Sequence, residues 1–192
     1  MKILDKDLSE IGNLYDKFIK MMIESFNNNY GVNIQNALSF INQIYKDLIV
    51  TNKREKYPSI DYIKSLGVYS LYGFQVCRTT NSMLYDFMKG IGLDVTLKTV
   101  FIDDNGDWHI VKPIIANHVV VNMKDEKINK YFDLYNDLFV EKDNDKISTI
   151  EVDNKRVKID YSKYEEIISR ISDILDRYLL LEKQGIEKVY EY

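Results

Sequence analysis

The chain has a single cysteine, Cys77, and only two histidines and two prolines among its 192 residues. One cysteine excludes an internal disulfide framework, and so few thiols and imidazoles cannot form a cysteine-rich zinc site. No apolar run approaches the roughly 20 residues of a membrane span, and no apolar segment typical of a secretory signal follows Met1. We therefore expect a cytoplasmic protein that binds no metal or cofactor and does not enter a membrane.

The chain also lacks a strong excess of charge of either sign, since its formal net charge is −4. Lysines and arginines are scattered among acidic residues, so no basic face is available to neutralise phosphates, and we expect no nucleic-acid partner. A hydrophobic content of 45% favours a compact fold. With no repeat or linker, the sequence predicts one domain over 1–192, with N-terminal helices at 8–67, a catalytic-like core at 68–140, and a C-terminal hairpin and helix at 141–192.

Apolar residues recur at helical spacing through the N-terminal third of the chain. Ser9 or Asp7 is expected to cap the first helix. The helical pattern returns after Gly73, directly at the cysteine. The first two predicted helices have apolar stripes from Ile11 to Phe26 and from Ile34 to Ile49. A short third helix is predicted with Pro58 in its first turn and an end at Gly67, and a fourth runs from Cys77 to Gly90 or Gly92.

The spacing changes to that of strands after residue 94. Residues 95–102 are rich in β-branched side chains, and the turn that follows contains Asn105-Gly106, a strong hairpin signal. Further antiparallel strands are predicted at 108–115, 118–123 and 130–135. A last hairpin is predicted to turn at Asp153-Asn154, between strands at 147–152 and 155–159, and a final helix is predicted at 161–182. Helices, then strands, then a helix predict an α+β fold.

The position of Cys77 suits a reactive thiol. The unpaired N–H groups at a helix N-terminus favour the thiolate, which is the nucleophilic form. A nearby imidazole would favour it further by holding the proton, and a carboxylate behind the ring would orient it. His118 and Asp133 can supply those groups if residues 130–135 pair with 117–123 in a hairpin.

Strand geometry predicts how His118 is presented. Alternate side chains share a face, so Val119 and Val121 are expected to be the buried pair while His118 faces the cleft. The backbone N–H of Cys77 would provide one donor to an oxyanion. Gln75, Tyr72 and Tyr69 are the candidates for the second donor.

Less specific interpretations exist for each residue. A lone cysteine is commonly a small buried hydrophobe, and an isolated histidine or aspartate is commonly structural. His109 is the rival base, although its place after a turn predicts a strand residue near the sheet edge. The tyrosines at 69 and 72 fall at spacings that also suit packing.

Three short blocks resemble the transglutaminase-like superfamily. Val76–Arg78, with the helix that follows it, resembles the family's Gly-Val-Cys-Arg block, Asn117–Val121 resembles its histidine strand, and Tyr131–Asp133 resembles its aspartate strand. The resemblance implies a papain-like α+β fold in which a central cysteine helix packs on an antiparallel sheet. It also implies that Cys77 is the nucleophile, His118 the general base and Asp133 its orienter. Val119-Val120 replaces the usual aromatic after the histidine, which leaves the substrate open.

Two hypotheses follow. In the first, the protein is a thiol-dependent acyl-transfer enzyme that attacks amide bonds in a protein or peptide substrate, as a peptidase or amidase if water is the acceptor, or as a transglutaminase if an amine is. In the second, the same fold is catalytically inactive and serves as a binding or scaffolding module, with the amphipathic first and last helices available for a partner or a homodimer contact.

Overall fold

A computed structural model describes residues 4–60, 63, 65–124, 128–144 and 146–185. Within these ranges, five helices pack around one large apolar core. The first and the last bury one face, because their apolar residues recur every three or four positions, whereas the three helices between them are buried over most of their surface. The helices are α1 (Leu4–Asn29), α2 (Ile34–Ile44), which continues as a π-helical turn (Tyr45–Ile49), α3 (Gly67–Leu71), α4 (Cys77–Gly90) and α5 (Ser162–Lys183).

Aromatic side chains hold the centre of the helical core. Phe26 of α1, Phe40 of α2 and Phe87 of α4 are all fully buried, and their ring centroids lie 5.6–5.7 Å apart. Edge-to-face and offset pairs at this spacing add to the free energy of burial. The core therefore ties the helix that begins at the cysteine to the two N-terminal helices.

The N-terminal region differs from the sequence prediction at two points. Helix α1 begins at least five residues before Ser9, and Asp7 lies inside it, buried and paired with Arg177 of α5, so neither residue is the cap. Gly67 begins α3 instead of ending a helix. A Cβ at Gly67 would lie 2.1 Å from the hydroxyl oxygen of Tyr15, so this glycine permits close packing. Pro58 lies in irregular chain, and residues 61, 62 and 64 of the predicted third helix fall outside the described residues.

Within the described residues, six antiparallel strands form one sheet in the order β2-β1-β3-β4-β5-β6. The predicted hairpin at 103–107 is confirmed, and so is the antiparallel pairing of β3 with β4, in which Val121 faces Phe132. The strands are β1 (Thr96–Ile102), β2 (Trp108–Ile110), β3 (His118–Lys124), β4 (Asn129–Asp133), β5 (Leu138–Asp143) and β6 (Lys146–Thr149).

The sheet curls strongly. Trp108 of β2 and Tyr131 of β4 lie three strands apart in the order, yet their ring centroids are 5.8 Å from each other. A flat sheet would separate them by about 14 Å, because neighbouring strands are about 4.8 Å apart. The curl encloses a second small core that includes Val100, Val120 and Val140. Both faces of β3 are therefore buried.

The C-terminal hairpin is not where the sequence pattern indicated. Strands β5 and β6 pair across residues 143–146, and residues 155–159 form no strand. This segment is instead held by α2, because the side-chain amide of Gln43 donates to the carbonyl of Val157 and accepts from its N–H. Helix α5 agrees with the prediction, and its expected stripe from Tyr164 to Tyr178 is buried. In the part of the chain described, no helix combines the length and apolar character needed to cross a bilayer.

Candidate active site

Cys77 is the first residue of α4 and is half-buried. Val76 before it is extended, and the Thr79 hydroxyl closes the turn by accepting from the Val76 N–H at 3.1 Å and donating to the Phe74 carbonyl at 3.0 Å. As the first helical residue, Cys77 has a backbone N–H without an intrahelical acceptor. The sulfur therefore lies at the positive end of a 14-residue helix.

His118 and Asp133 lie together on the sheet. His118 is the first residue of β3 and Asp133 the last of β4, so the antiparallel pairing carries both to one end of the sheet. Nε2 of His118 lies 2.6 Å from Oδ2 of Asp133. Since Nε2 is held by the carboxylate, Nδ1 is the ring nitrogen free to face Cys77. The ring of Trp108, with its centroid 6.3 Å from that of His118, covers one side of the imidazole.

Asp133 is fully buried and its carboxylate is surrounded by donors. Oδ1 accepts from the Asn81 amide at 2.9 Å and from the Asn136 backbone at 3.4 Å, and Oδ2 accepts from the Asn136 amide at 2.9 Å as well as contacting His118. A buried carboxylate with this many donors remains ionised. Asp133 can therefore orient His118 and stabilise a positive charge on its ring.

Asn81 links the three elements that carry the site. It is fully buried, four residues after Cys77 on the same side of α4. Its amide also donates to the Val119 carbonyl at 2.7 Å, and its Oδ1 accepts from the Leu134 N–H at 2.9 Å. Neither Asn81 nor Asn136 was predicted from the sequence. For Asn81 the available signal was an amide on the apolar face of α4, one turn before Leu84.

The electrostatics favour a proton on the ring over a proton on the sulfur. A hydrogen bond with His118 is the main cause that lowers the pKa of Cys77, which burial opposes and the backbone N–H of Val119 assists. Burial works to lower the pKa of His118, but the hydrogen bonds to Asp133 and Cys77 outweigh it and raise that pKa to about 9. Burial likewise works to raise the pKa of Asp133, and bonds from His118 and Asn81 hold it below its usual value. These shifts favour a thiolate–imidazolium pair.

The burial of β3 corrects one prediction about this strand. Val121 is buried as expected, but Val119 is only half-buried, and Val120, on the face of His118, is fully buried. The curled sheet is the cause, because it covers the face that a flat sheet would leave to solvent. His118 itself is only 7% exposed, so its side chain is buried as well.

His109, the rival base, lies elsewhere. Its Nε2 is 2.8 Å from Oδ2 of Asp103 in the β1–β2 hairpin, and its side chain is 56% exposed. His109 pairs with Phe101 across the strands and so faces away from Val100 and His118. The pair is a solvent-exposed contact of an edge hairpin.

The three candidates for the second oxyanion donor are differently engaged. The Tyr72 hydroxyl donates to Asp176 of α5 at 2.8 Å, and the Tyr69 hydroxyl donates to the carbonyls of Pro58 and Ile60. Gln75 lies closest in the chain to Cys77. Its Nε2 donates to the Ile49 carbonyl at 2.9 Å and its Oε1 accepts from the Tyr45 hydroxyl at 3.0 Å, so one N–H of the amide remains for a further acceptor.

The loop before Cys77 is fixed by a close backbone contact. Gly73 has a φ of +94°, and its carbonyl accepts from the Arg54 N–H at 2.9 Å. A Cβ at this position would lie 1.5 Å from the carbonyl oxygen of Asn52. The loop that leads to Cys77 therefore packs directly against the segment that contains Lys53 and Arg54.

Among the described residues, no group of three or more histidine, cysteine or acidic side chains is arranged to hold a metal ion. Comparison of the chain with protein-family models, with curated proteins and with solved structures found no match. The resemblance of the three sequence blocks to the transglutaminase-like superfamily therefore stays a prediction.

Proposed function

We propose that the protein is a thiol-dependent acyl-transfer enzyme with a transglutaminase-like, papain-like fold that acts on amide bonds of a peptide or protein. The observation that carries the proposal is the hydrogen-bonded line from Asp133 through His118 to Cys77, with Nε2 and Oδ2 2.6 Å apart and the pKa of the thiol lowered by the imidazole. Buried and fully hydrogen-bonded partners of this kind are typical of an activated nucleophile.

The reaction would begin with attack of the Cys77 thiolate on the amide carbonyl carbon. A C–S bond forms, and the carbonyl π electrons move to the oxygen, where the Cys77 backbone N–H can donate to the oxyanion. The imidazolium of His118 gives its proton to the leaving nitrogen as the C–N bond breaks. A thioester and neutral imidazole remain.

The second half of the reaction releases the acyl group. Neutral His118 takes a proton from water, whose oxygen attacks the thioester carbonyl, and the C–S bond breaks to return the thiolate. An amine in place of water would give a new amide. We favour hydrolysis because water is always present as an acceptor.

Alkylation of the folded protein tests the activated thiol. We expect iodoacetamide to modify Cys77 at pH 6 about ten times faster than it modifies the same protein in urea, because a lowered pKa supplies more thiolate. Intact-mass measurements would follow the rate from pH 4 to 10, with Cys77→Ser as the blank. A thiol that reacts only on unfolding would contradict the proposal.

The alternative is a catalytically inactive member of the same fold that serves as a binding module. It is favoured by exposed apolar side chains at the β1–β2 end of the sheet, where Ile110 is 56% and Ile114 91% exposed. The same alkylation experiment separates the two, since a binding module does not require an activated thiol.

A further inference from the structure

A pocket of about 420 Å³ lies beside the proposed catalytic residues. Gln75, two residues before Cys77, forms one part of its wall, and Asn136, which donates to Asp133, forms another. Tyr45 also lines the pocket, and its hydroxyl donates to Oε1 of Gln75 at 3.0 Å. Gln75 and Cys77 are two residues apart, which is at most about 7 Å of chain, so an extended substrate held at Cys77 can reach this pocket within a few residues.

The charged side chains that line this pocket are cationic. Lys53 and Arg54 line it, and none of the described residues that line it is an aspartate or glutamate. Arg54 is paired with Asp176 at 3.3 Å, whereas Lys53 is exposed and has no ion-pair partner in the part of the chain described. Asp137, next to Asn136, is paired with Lys46. The pocket is therefore positive on a protein whose net charge is −4.

The residue after the nucleophile adds to this field. Arg78 is exposed and donates from Nη2 to the Tyr57 hydroxyl at 3.2 Å, a neutral partner that leaves its charge uncompensated. A cation therefore follows Cys77 directly in the chain, in addition to those that line the pocket, and the carboxylate of Asp133 is fully buried and hydrogen-bonded.

We propose that the pocket formed by Tyr45, Lys53, Arg54, Gln75 and Asn136 is a substrate subsite for a carboxylate-bearing residue, so that the preferred substrates are acidic peptides. The subsite rests on the proposed acyl-transfer function, since it is located by Gln75, two residues before Cys77, and by Asn136, which donates to Asp133. Lys53 supplies the free charge, and the remaining amide N–H of Gln75 supplies a neutral donor.

Protection of Cys77 from iodoacetamide tests the subsite. Three short peptides would be compared, each with a central glutamine flanked on both sides by glutamates, by glutamines or by lysines. We expect the glutamate peptide to protect at about one third of the concentration that the glutamine peptide needs, and the lysine peptide to protect least. The difference should shrink in 0.5 M salt, because the attraction is screened.

Lys53→Met should bring the glutamate and glutamine peptides to nearly equal protection, and Lys163→Met, on the exposed face of α5, should keep the threefold ratio. Equal protection by all three peptides, or an unchanged ratio in Lys53→Met, would overturn the subsite while leaving the thiol chemistry intact. Failure of iodoacetamide to modify the folded wild-type protein would instead overturn the acyl-transfer proposal itself.

Discussion

Two histidine–aspartate pairs lie on the same sheet and differ mainly in burial. His118 and Asp133 are 2.6 Å apart with side chains 7% and 0% exposed, whereas His109 and Asp103 are 2.8 Å apart with side chains 56% and 29% exposed. The contact distances are nearly the same. The surroundings differ, because Asn81 and Asn136 complete the hydrogen bonding of Asp133, while Asp103 accepts from backbone N–H groups of its own turn.

Similar contact distances therefore have different effects in the exposed pair and in the buried pair. In the exposed pair, water and salt compete with the ion pair, so the contact has little effect beyond the hairpin. In the buried pair, each group depends on the other for its charged state, and the ring is held in one orientation. His118 of the buried pair is also hydrogen-bonded to Cys77.

The two pairs should differ most in their influence on thiol reactivity and turnover. His118→Gln should reduce any amide turnover by about 10²–10⁴-fold, because the general base is lost, and should slow alkylation of Cys77 at pH 7 by raising its pKa. His109→Gln is the matched control and should change neither rate. Circular dichroism of both variants would verify folding. Similar losses in the two variants would mean that His118 has no special role.

A smaller effect is expected on stability. Asp133→Ala leaves His118, Asn81 and Asn136 without their shared acceptor in a buried site, and should lower the free energy of unfolding by about 3–5 kcal/mol. Asp103→Ala removes an exposed acceptor of its own turn and should lower the free energy of unfolding, measured by urea denaturation, by only a small fraction of that amount. An Asp133→Ala variant as stable as the wild type would contradict the buried network.

The smallest effect is the pH dependence of that stability. The pKa of His118 rises from 6.5 to about 9 on folding, so its contribution is fully present below pH 6.5 and is lost as the pH rises towards 9. The stability difference between wild type and His118→Gln should therefore shrink by roughly 2 kcal/mol over that range. The pKa values of Asp133 and Cys77 are lowered, so their contributions are lost in the opposite direction, on acidification.

The control for this titration is again His109→Gln. Urea denaturation of this variant at several pH values between 6.5 and 9 should give only a small difference from wild type throughout, because an exposed ion pair contributes little to the free energy of unfolding. A His118→Gln difference that stays flat over the same range would mean that the ring titrates as it does in water.

Elements with a strong period could be predicted from the sequence. The stripe of α5, the start of α4 at Cys77, and the β3–β4 pairing that joins His118 to Asp133 all followed from spacing and turn residues. These features are local, so a short segment contains the information that determines them.

Features that depend on distant contacts could not be predicted in this way. Strand β5 follows Asp137, which turns with a φ of +53° and carries no glycine or proline signal. Residues 155–159 have a strand-like composition, but Gln43 of α2 satisfies the backbone of Val157. Asn81 is a single amide on α4, and its hydrogen bonds to Val119 and Leu134 depend on how the sheet packs against this helix.

The conformation of Gly73 has a consequence for related and engineered chains. Any L side chain at this position would collide with the carbonyl of Asn52 and would also need an unfavourable positive φ. Homologues that retain the path of residues 52–54 should therefore keep glycine here, and a homologue with a larger residue should route that segment differently. Attempts to widen the cleft by mutagenesis should begin at Lys53 or Tyr45, because a change at residue 73 would displace the cationic wall and the approach to the sulfur together.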